Sequence, residues 1–286
     1  MGDGGRGHRD ARATVGAAVA DARPDLPLPA FADVDGDAAV SLVAMMDATD
    51  RWPAVQAARG WVLDRTAVAG SVVVDVGCGP GTFGAAARAA GAVTVDIDRS
   101  TAMLGAQQRR HAAAAVLSDI ARLPLGDGVA RLVHVERVLQ WAAEPDEVIG
   151  ELRRVTEPGG MVAVTDTDWG TFVVDHPEPA AAARLGSAAH RWVPRPLVAR
   201  SLPRLLADAG AGAVEVRTDA VPLVTWDPDD PDEVDGPPGL PLRRMAGAAP
   251  AAERPAALAA VEAVAGMARR GRFFATLTLV TVVGRW

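Results

Sequence analysis

The sequence predicts an α/β protein built on a doubly wound, mostly parallel seven-stranded sheet with helical lid insertions. Three observations carry this. Short β-branched runs alternate with stretches of helical period through the middle of the chain, which is the pattern of successive strand–helix units in a parallel sheet. The first of these runs leads directly into a glycine-rich turn and then a helix. The chain has 286 residues, 49% of them apolar, enough for one large domain with an appended cap.

The elements follow in order. Residues 1–32 are rich in Gly, Asp, Arg and Pro without periodicity and read as a disordered tail. Residues 33–69 read as an N-terminal helical cap. Val40, Val43, Ala44 and Met46, then Val55, Ala58 and Val62, recur at helical spacing on either side of a break at Arg51-Trp52-Pro53. Strands are expected at 72–76, 93–97, 114–117, 132–136 and 161–165. Helices are expected at 83–90, 101–110 and 147–155, the last stopped by the breaker cluster Glu157-Pro158-Gly159-Gly160. Beyond Asp166 the pattern loosens. Residues 177–200 hold helical material interrupted by prolines, and 202–209 form a helix before a short strand at 214–216. Residues 226–241 are an acidic, Pro-rich loop, 251–270 an Ala-rich helix and 274–283 a closing strand. The α/β core is therefore assigned to 70–220 and 272–286, with a lid insertion at 221–271.

Composition limits the chemistry. The formal net charge is −7 and the basic residues are scattered, which argues against a nucleic-acid partner because such partners select a basic face. Cys78 is the only cysteine, so no internal disulfide forms and a cytoplasmic setting is expected. No apolar run has the ~18 residues of a membrane span, and no metal site is expected. The chain has no Lys, Asn or Tyr, so Schiff-base lysines and catalytic tyrosines are excluded.

The strongest local signal is Asp75-Val-Gly77-Cys-Gly79-Pro-Gly81, set between a buried strand and a helix. Glycine there lets backbone approach a ligand, and the helix presents N–H donors and its positive end to the turn. Gly79-x-Gly81-x-x-Gly84 formally matches a dinucleotide fingerprint, but that register begins two residues past the strand end. Counted from Gly77, which directly follows the strand, Thr82 occupies the place of the third glycine.

This loop closely resembles the signature of class I S-adenosylmethionine-dependent methyltransferases, and further matches follow in that family's order. Asp98-Arg-Ser-Thr-Ala-Met103 resembles the acidic end of the second strand, and Ser118-Asp119-Ile120 the adenine-binding segment. Glu136-Arg-Val-Leu-Gln140 resembles the end of the fourth strand, and Glu151 through Gly160 the helix and turn before the fifth. The resemblance implies the Rossmann-like methyltransferase fold and S-adenosyl-L-methionine as cofactor. It implies that Asp98 accepts from the ribose hydroxyls, with Asp96 a rival on the same strand face. Asp119 accepts from the adenine amino group and the Ile120 amide donates to the ring. Gly77, Gly79 and Gly81 pass close to the methionine part, and Asp75 fixes the loop. Cys78 is read as a small filler. Arg99 and Met103 belong to the same site, Arg99 standing where the family often has an apolar residue. Trp141 stands where many relatives have a histidine.

The methyl acceptor is expected beyond the carboxyl ends of the strands, near Glu136 and Asp166. Trp169, Phe172, Trp192 and Trp226 are candidate pocket aromatics. A hydroxyl or ammonium acceptor needs a base; the candidates are Glu136, Asp168, His134, His176 and His190, with His134 read as core, His176 and His190 as exposed linker residues, and Glu136, Asp168 and His190 taken as the catalytic set. Glu136 is expected to carry a raised pKa from partial desolvation, with cofactor binding as its competing role. The acceptor is expected to be a small molecule of secondary metabolism, the alternative being a protein of this fold that binds the cofactor but catalyses a non-methylating reaction such as a cyclisation.

Overall fold

The computed structural model describes residues 34–36, 39–230 and 240–286. The tail expected at 1–32 lies outside them, as does part of the Pro-rich loop. Two helices open the described chain, α1 (Ala39–Asp50) and α2 (Pro53–Arg65), separated where Pro53 occupies the first turn of α2. Then come β1 (Val72–Val76), α3 (Thr82–Ala89), β2 (Val93–Asp98), α4 (Thr101–His111), β3 (Ala115–Leu117) and β4 (Ala130–Glu136). A 3-10 turn (Leu139–Trp141) leads to α5 (Pro145–Val155) and β5 (Thr156–Val174). The chain ends with α6 (Pro179–His190), α7 (Val198–Asp208), β6 (Ala213–Leu223), α8 (Leu242–Gly247), α9 (Arg254–Ala268) and β7 (Ala275–Arg285).

The seven strands form one sheet in the order β3-β2-β1-β4-β5-β7-β6. The pairings from β3 across to β5 are parallel, and β7 runs antiparallel to both β5 and β6. Strand alternation divides the apolar side chains between two faces. Val74, Val76, Val133 and Val135 pack on one face under α5 and α7, through Ile149, Leu152, Leu202 and Leu206. Val73, Leu132 and Ala163 pack on the other with Val62 of α2 and Phe83 of α3. The 33–69 stretch thus divides in two: α2 covers a sheet face, and α1 lies against α4 through Leu42, Met45 and Met103.

The C-terminal strands exceed the sequence expectation. β5 was expected at 161–165 and β6 at 214–216, yet β7 pairs with β5 out to Val174 and with β6 out to Leu223. An antiparallel partner long enough to bond both neighbours keeps these segments extended even where their own patterning is weak. The register shifts between Asp168 and Val173. On this extension α6, α8 and α9 build a second apolar cluster that includes Trp169, Leu185, Met245, Val261 and Leu277. Among the described residues no helix is long and apolar enough to cross a membrane.

Leu152 anchors α5 to the sheet with 0% of its surface exposed. Leu152→Ala is expected to lower unfolding free energy by about 2–5 kcal/mol in urea titration. A loss below roughly 1 kcal/mol would contradict the packing described.

Candidate active site

The parallel strands end together, and there the turn after β1 defines a ligand-sized space. Gly77 has φ +71°, and a Cβ at that residue would lie 2.3 Å from a Val138 methyl, so only glycine fits. Gly79 has φ +53° with nothing within 4 Å of a built Cβ, so this part of the turn opens outward. A cavity of about 480 Å³ begins here. It is lined at one end by Gly77, Gly79, Asp98, Met103, Asp119 and Ile120, and Arg99 also borders it. It continues past Glu136, Arg137 and Gln140 into a chamber walled by Trp52, Trp141, Trp169 and Trp192. Met45, Met46 and Thr49 of α1 cover it, and Leu240 and Leu277 contribute apolar wall.

Asp98 ends β2 and faces the cavity. Its Oδ2 accepts from the Gly79 N–H at 2.9 Å and its Oδ1 from the Ser100 N–H at 2.9 Å. Burial raises its pKa, and these two amides offset part of that effect. Asp96, one pleat deeper, does not line the cavity. It is fully buried and accepts from Gln107 Nε2 at 2.7 Å and from Arg88 at 3.2 Å. Asp119 accepts from the Ala121 N–H at 2.8 Å, a local turn that fixes its carboxylate at the cavity edge.

Asp75, Cys78 and Gly81 sit apart from the cavity lining. Asp75 lies deeper along β1, on the face that also carries Asp96 and His134, and its carboxylate meets His134 Nδ1 at 2.8 Å, its register partner on β4. It therefore supports the loop from beneath. His134 also stacks on Phe83 with ring centroids 3.4 Å apart, so it is a core residue. Gly81 packs against Gln107 and caps α3 in a left-handed conformation. Cys78 is buried, and burial pushes its thiol pKa far up, which suits a filler and not a nucleophile.

The centre of the site is a buried charge cluster. The Arg59 guanidinium donates to both Glu136 oxygens at 2.8 Å, and its Nη2 also donates to Asp50 Oδ1 at 2.8 Å. Arg137 donates to Glu136 at 3.0 Å and to Asp50 at 2.6 Å, and also to the Thr49 hydroxyl. Arg137 holds φ +57°, unusual outside glycine, and this turns its side chain back toward α1. The cluster thereby ties α1 and α2 to the end of β4.

This geometry corrects the expectation of a raised Glu136 pKa. Burial favours the neutral form, but Arg59 and Arg137 outweigh it and hold the carboxyl at about 2. A carboxylate so stabilised is a poor proton acceptor. The other two expected bases lie outside the cavity. Alternation on β5 puts Thr167 and Trp169 on the wall and turns Asp168 away, where it pairs with Arg200 at 2.7 and 2.9 Å. His190, the last residue of α6, borders a separate shallow cleft with Phe172 and Ser187 on the far side of Trp169. His176 accepts from the Glu178 N–H at 2.9 Å in the linker before α6. Trp226 is core, packed on Phe273.

Sequence reasoning missed Arg59, Asp50 and Trp52 as parts of the site. Arg59 had a signal: it interrupts the apolar stripe of Val55 and Val62 on α2, and a cation on a buried helix face needs a buried partner. Asp166 also gained a role. Burial pushes its pKa up to about 7, against hydrogen bonds from the Thr167 and Gln140 amides that favour its charged form. Through Gln140, whose side-chain oxygen accepts from Trp169 Nε1 at 2.6 Å, it sets one indole of the chamber.

Comparison with known proteins agrees with the strand-end geometry. Residues 74–164 match the family profile described as methyltransferase domain. The seven-stranded sheet has the Rossmann-like fold of class I methyltransferases. Among curated relatives, it is 33% identical over 149 residues to a 37.1 kDa protein in transposon Tn4556 of Streptomyces fradiae, covering 49% of this chain and 43% of that one. It is 38% identical over 95 residues to malonyl-[acyl-carrier protein] O-methyltransferase of Pectobacterium atrosepticum, covering 33% and 38%. The chain thus spans less than half the length of these relatives. The YcgJ protein of Bacillus subtilis shares the fold with a TM-score of 0.55 at 13% identity, covering 80% of this chain and 98% of that one. The [4+2]-cyclase SpnF does so with a TM-score of 0.51 at 19% identity, covering 87% and 92%. The methyltransferase-domain match ends at residue 164, so Trp169 and Trp192 of the chamber lie beyond it.

The pairing of Glu136 fixes the sign of its pH effect. Its folded pKa of about 2 lies below the ordinary 4.5, so its stabilisation is present above about pH 4.5 and is lost as pH falls toward 2. Arg59→Met leaves Glu136 and Asp50 short of a cation, and is expected to cost about 3–5 kcal/mol at neutral pH. Thermal melts of the unaltered protein should decline between about pH 4.5 and 2, and Glu136→Gln should flatten that decline. An acid limb of unchanged steepness in Glu136→Gln would contradict the assignment.

Proposed function

We propose that the chain binds S-adenosyl-L-methionine across the ends of β1 and β2 and transfers its methyl group to a small, partly apolar acceptor in the tryptophan-walled chamber. The observation that carries this is continuity: one cavity runs from Gly79 and Asp98 to Trp169 and Trp192. A cofactor at one end and an acceptor at the other would meet beside Glu136, Arg137 and Gln140.

The residues present fit the cofactor. A carboxylate offers about four acceptor positions, and the Asp98 oxygens accept from the backbone N–H groups of Gly79, Ser100 and Arg99. Capacity remains on the cavity side for a vicinal diol such as a ribose. Asp119 and the Ile120 amide offer an acceptor and a donor for adenine, with Met103 and Arg99 beside them. Gly77 and Gly79 give room for the methionine end. Glu136, a permanent anion, complements an ammonium group, so we assign it to binding and not to proton transfer. The cofactor would supply the activated methyl, and the chain orientation and a preorganised electrostatic frame.

The acceptor of the Pectobacterium relative is a malonyl group on a carrier protein. We favour a free small molecule here because the chamber is roofed by α1 and walled by indoles. A cyclisation on the same fold would leave the cofactor's methyl group in place, and product mass separates the two: methyl transfer adds one methylene equivalent.

Isothermal calorimetry with S-adenosylhomocysteine tests the cofactor half. Asp98→Ala is expected to weaken binding by about 1–3 kcal/mol through loss of the buried acceptor. Equal affinity in variant and parent would remove Asp98 from the site, and no binding to the parent would overturn the proposed function.

A further inference from the structure

We propose that the methyl acceptor is a neutral, planar heteroaromatic molecule with a pyridine-type nitrogen, which the protein converts to its N-methyl cation. This rests on the methyl-transfer reading above and names its substrate class.

The walls select the body of the acceptor. Trp52, Trp141, Trp169 and Trp192 surround the chamber, and Trp169 is fixed by its bond to Gln140. Gln140 is itself held by Arg137 through its side chain and by Asp166 through its backbone. Four indoles around one chamber, one of them held in place, favour a flat π-system of one or two rings over a flexible chain.

Electrostatics then select its charge. Asp50, Arg59, Glu136 and Arg137 balance one another. Apart from that cluster the described lining carries Asp98, Asp119, Glu144 and Glu147 against Arg99, and Glu144 has Arg195 at 3.8 Å. The excess of carboxylate disfavours carboxylates, phosphates and thiolates as acceptors.

The reacting atom follows from the available proton chemistry. Glu136 is held ionised near pKa 2 and already accepts from two arginines. None of the histidines 111, 134, 176 and 190 lines the cavity. An alcohol or an alkylammonium must lose a proton to react, and among the described lining residues only carboxylates could receive it, which are weak bases for either. A pyridine-type nitrogen loses none. Its lone pair forms the new bond to the methyl carbon as the bond from that carbon to sulfur breaks, and the pair from the broken bond stays on sulfur. The single positive charge moves from sulfonium to ring nitrogen, so the reaction balances without a base. The cation formed lies among indole faces and carboxylates, both of which stabilise it.

The test uses three probes of similar size, quinoline, 2-naphthol and 2-naphthoate, with the full chain and methyl-labelled S-adenosylmethionine. Label is expected in quinoline as a fixed cation retained on a cation exchanger. Independently of turnover, quenching of tryptophan fluorescence is expected to show quinoline binding roughly tenfold or more tighter than 2-naphthoate. Trp192→Leu should weaken quinoline by roughly tenfold while S-adenosylhomocysteine affinity stays the same. Label entering 2-naphthol or 2-naphthoate in preference, or 2-naphthoate binding the tighter, overturns the heteroaromatic class and leaves methyl transfer standing. Quinoline left unlabelled overturns the inference whether or not it binds. Failure to bind S-adenosylhomocysteine overturns the reading on which it rests.

Discussion

The buried pairing of Arg59 with Glu136 is the constraint on which the site depends. Two charges taken from water at the end of a strand are costly unless each is paired. Here the match needs four side chains from three places: Asp50 ending α1, Arg59 in α2, and Glu136 and Arg137 at the end of β4. No subset suffices, because removing one member strands a charge on another. The cluster therefore positions α1 over the cavity, and Met45, Met46 and Thr49 become part of its lining. It also explains the left-handed backbone at Arg137, a cost accepted where the side chain must double back to reach α1.

Around that centre, strand alternation sorts similar residues into different duties. Asp96 and Asp98 share a strand face, yet one is enclosed by Gln107 and Arg88 and the other looks into the cavity. Asp75 and Glu136 stand on the same face of the sheet near the strand ends, but Asp75 sits one pleat deeper, where it meets His134. On β5, Thr167 and Trp169 border the chamber while Asp168, between them, pairs with Arg200. The chemistry open to each carboxylate is set by its face and depth on the strand and by what already bonds to it.

This sorting also marks what was legible in the sequence. The glycine turn, Asp98, Met103, Asp119 and Ile120 could be read because local chain geometry places them: a strand end, a tight turn and the start of a helix. The order of strands and helices through β5 could be read for the same reason. The pKa of Glu136 could not, since its sign depends on Arg59, 77 residues away in sequence. Asp168 and His190 had suitable chemistry, and only the tertiary packing of β5 and α6 turned them from the cavity. The length of β5 and β6 was hidden because β7, at the far end of the chain, keeps them extended. Trp141 was noticed as a departure from the family pattern, but its place in the chamber wall depends on the 3-10 turn that follows β4.

The central claim is that one cavity, closed by the charge cluster, holds the cofactor at the ends of β1 and β2 and leaves the indole chamber for an acceptor. A crystal structure with S-adenosylhomocysteine tests it most directly. The account predicts ribose hydroxyls on Asp98, adenine beside Asp119 and Ile120, the amino-acid end over Gly77 and Gly79, and the Arg59–Glu136 pair intact. Ligand found among Trp141, Trp169 and Trp192, or bound with Arg59 separated from Glu136, would contradict it.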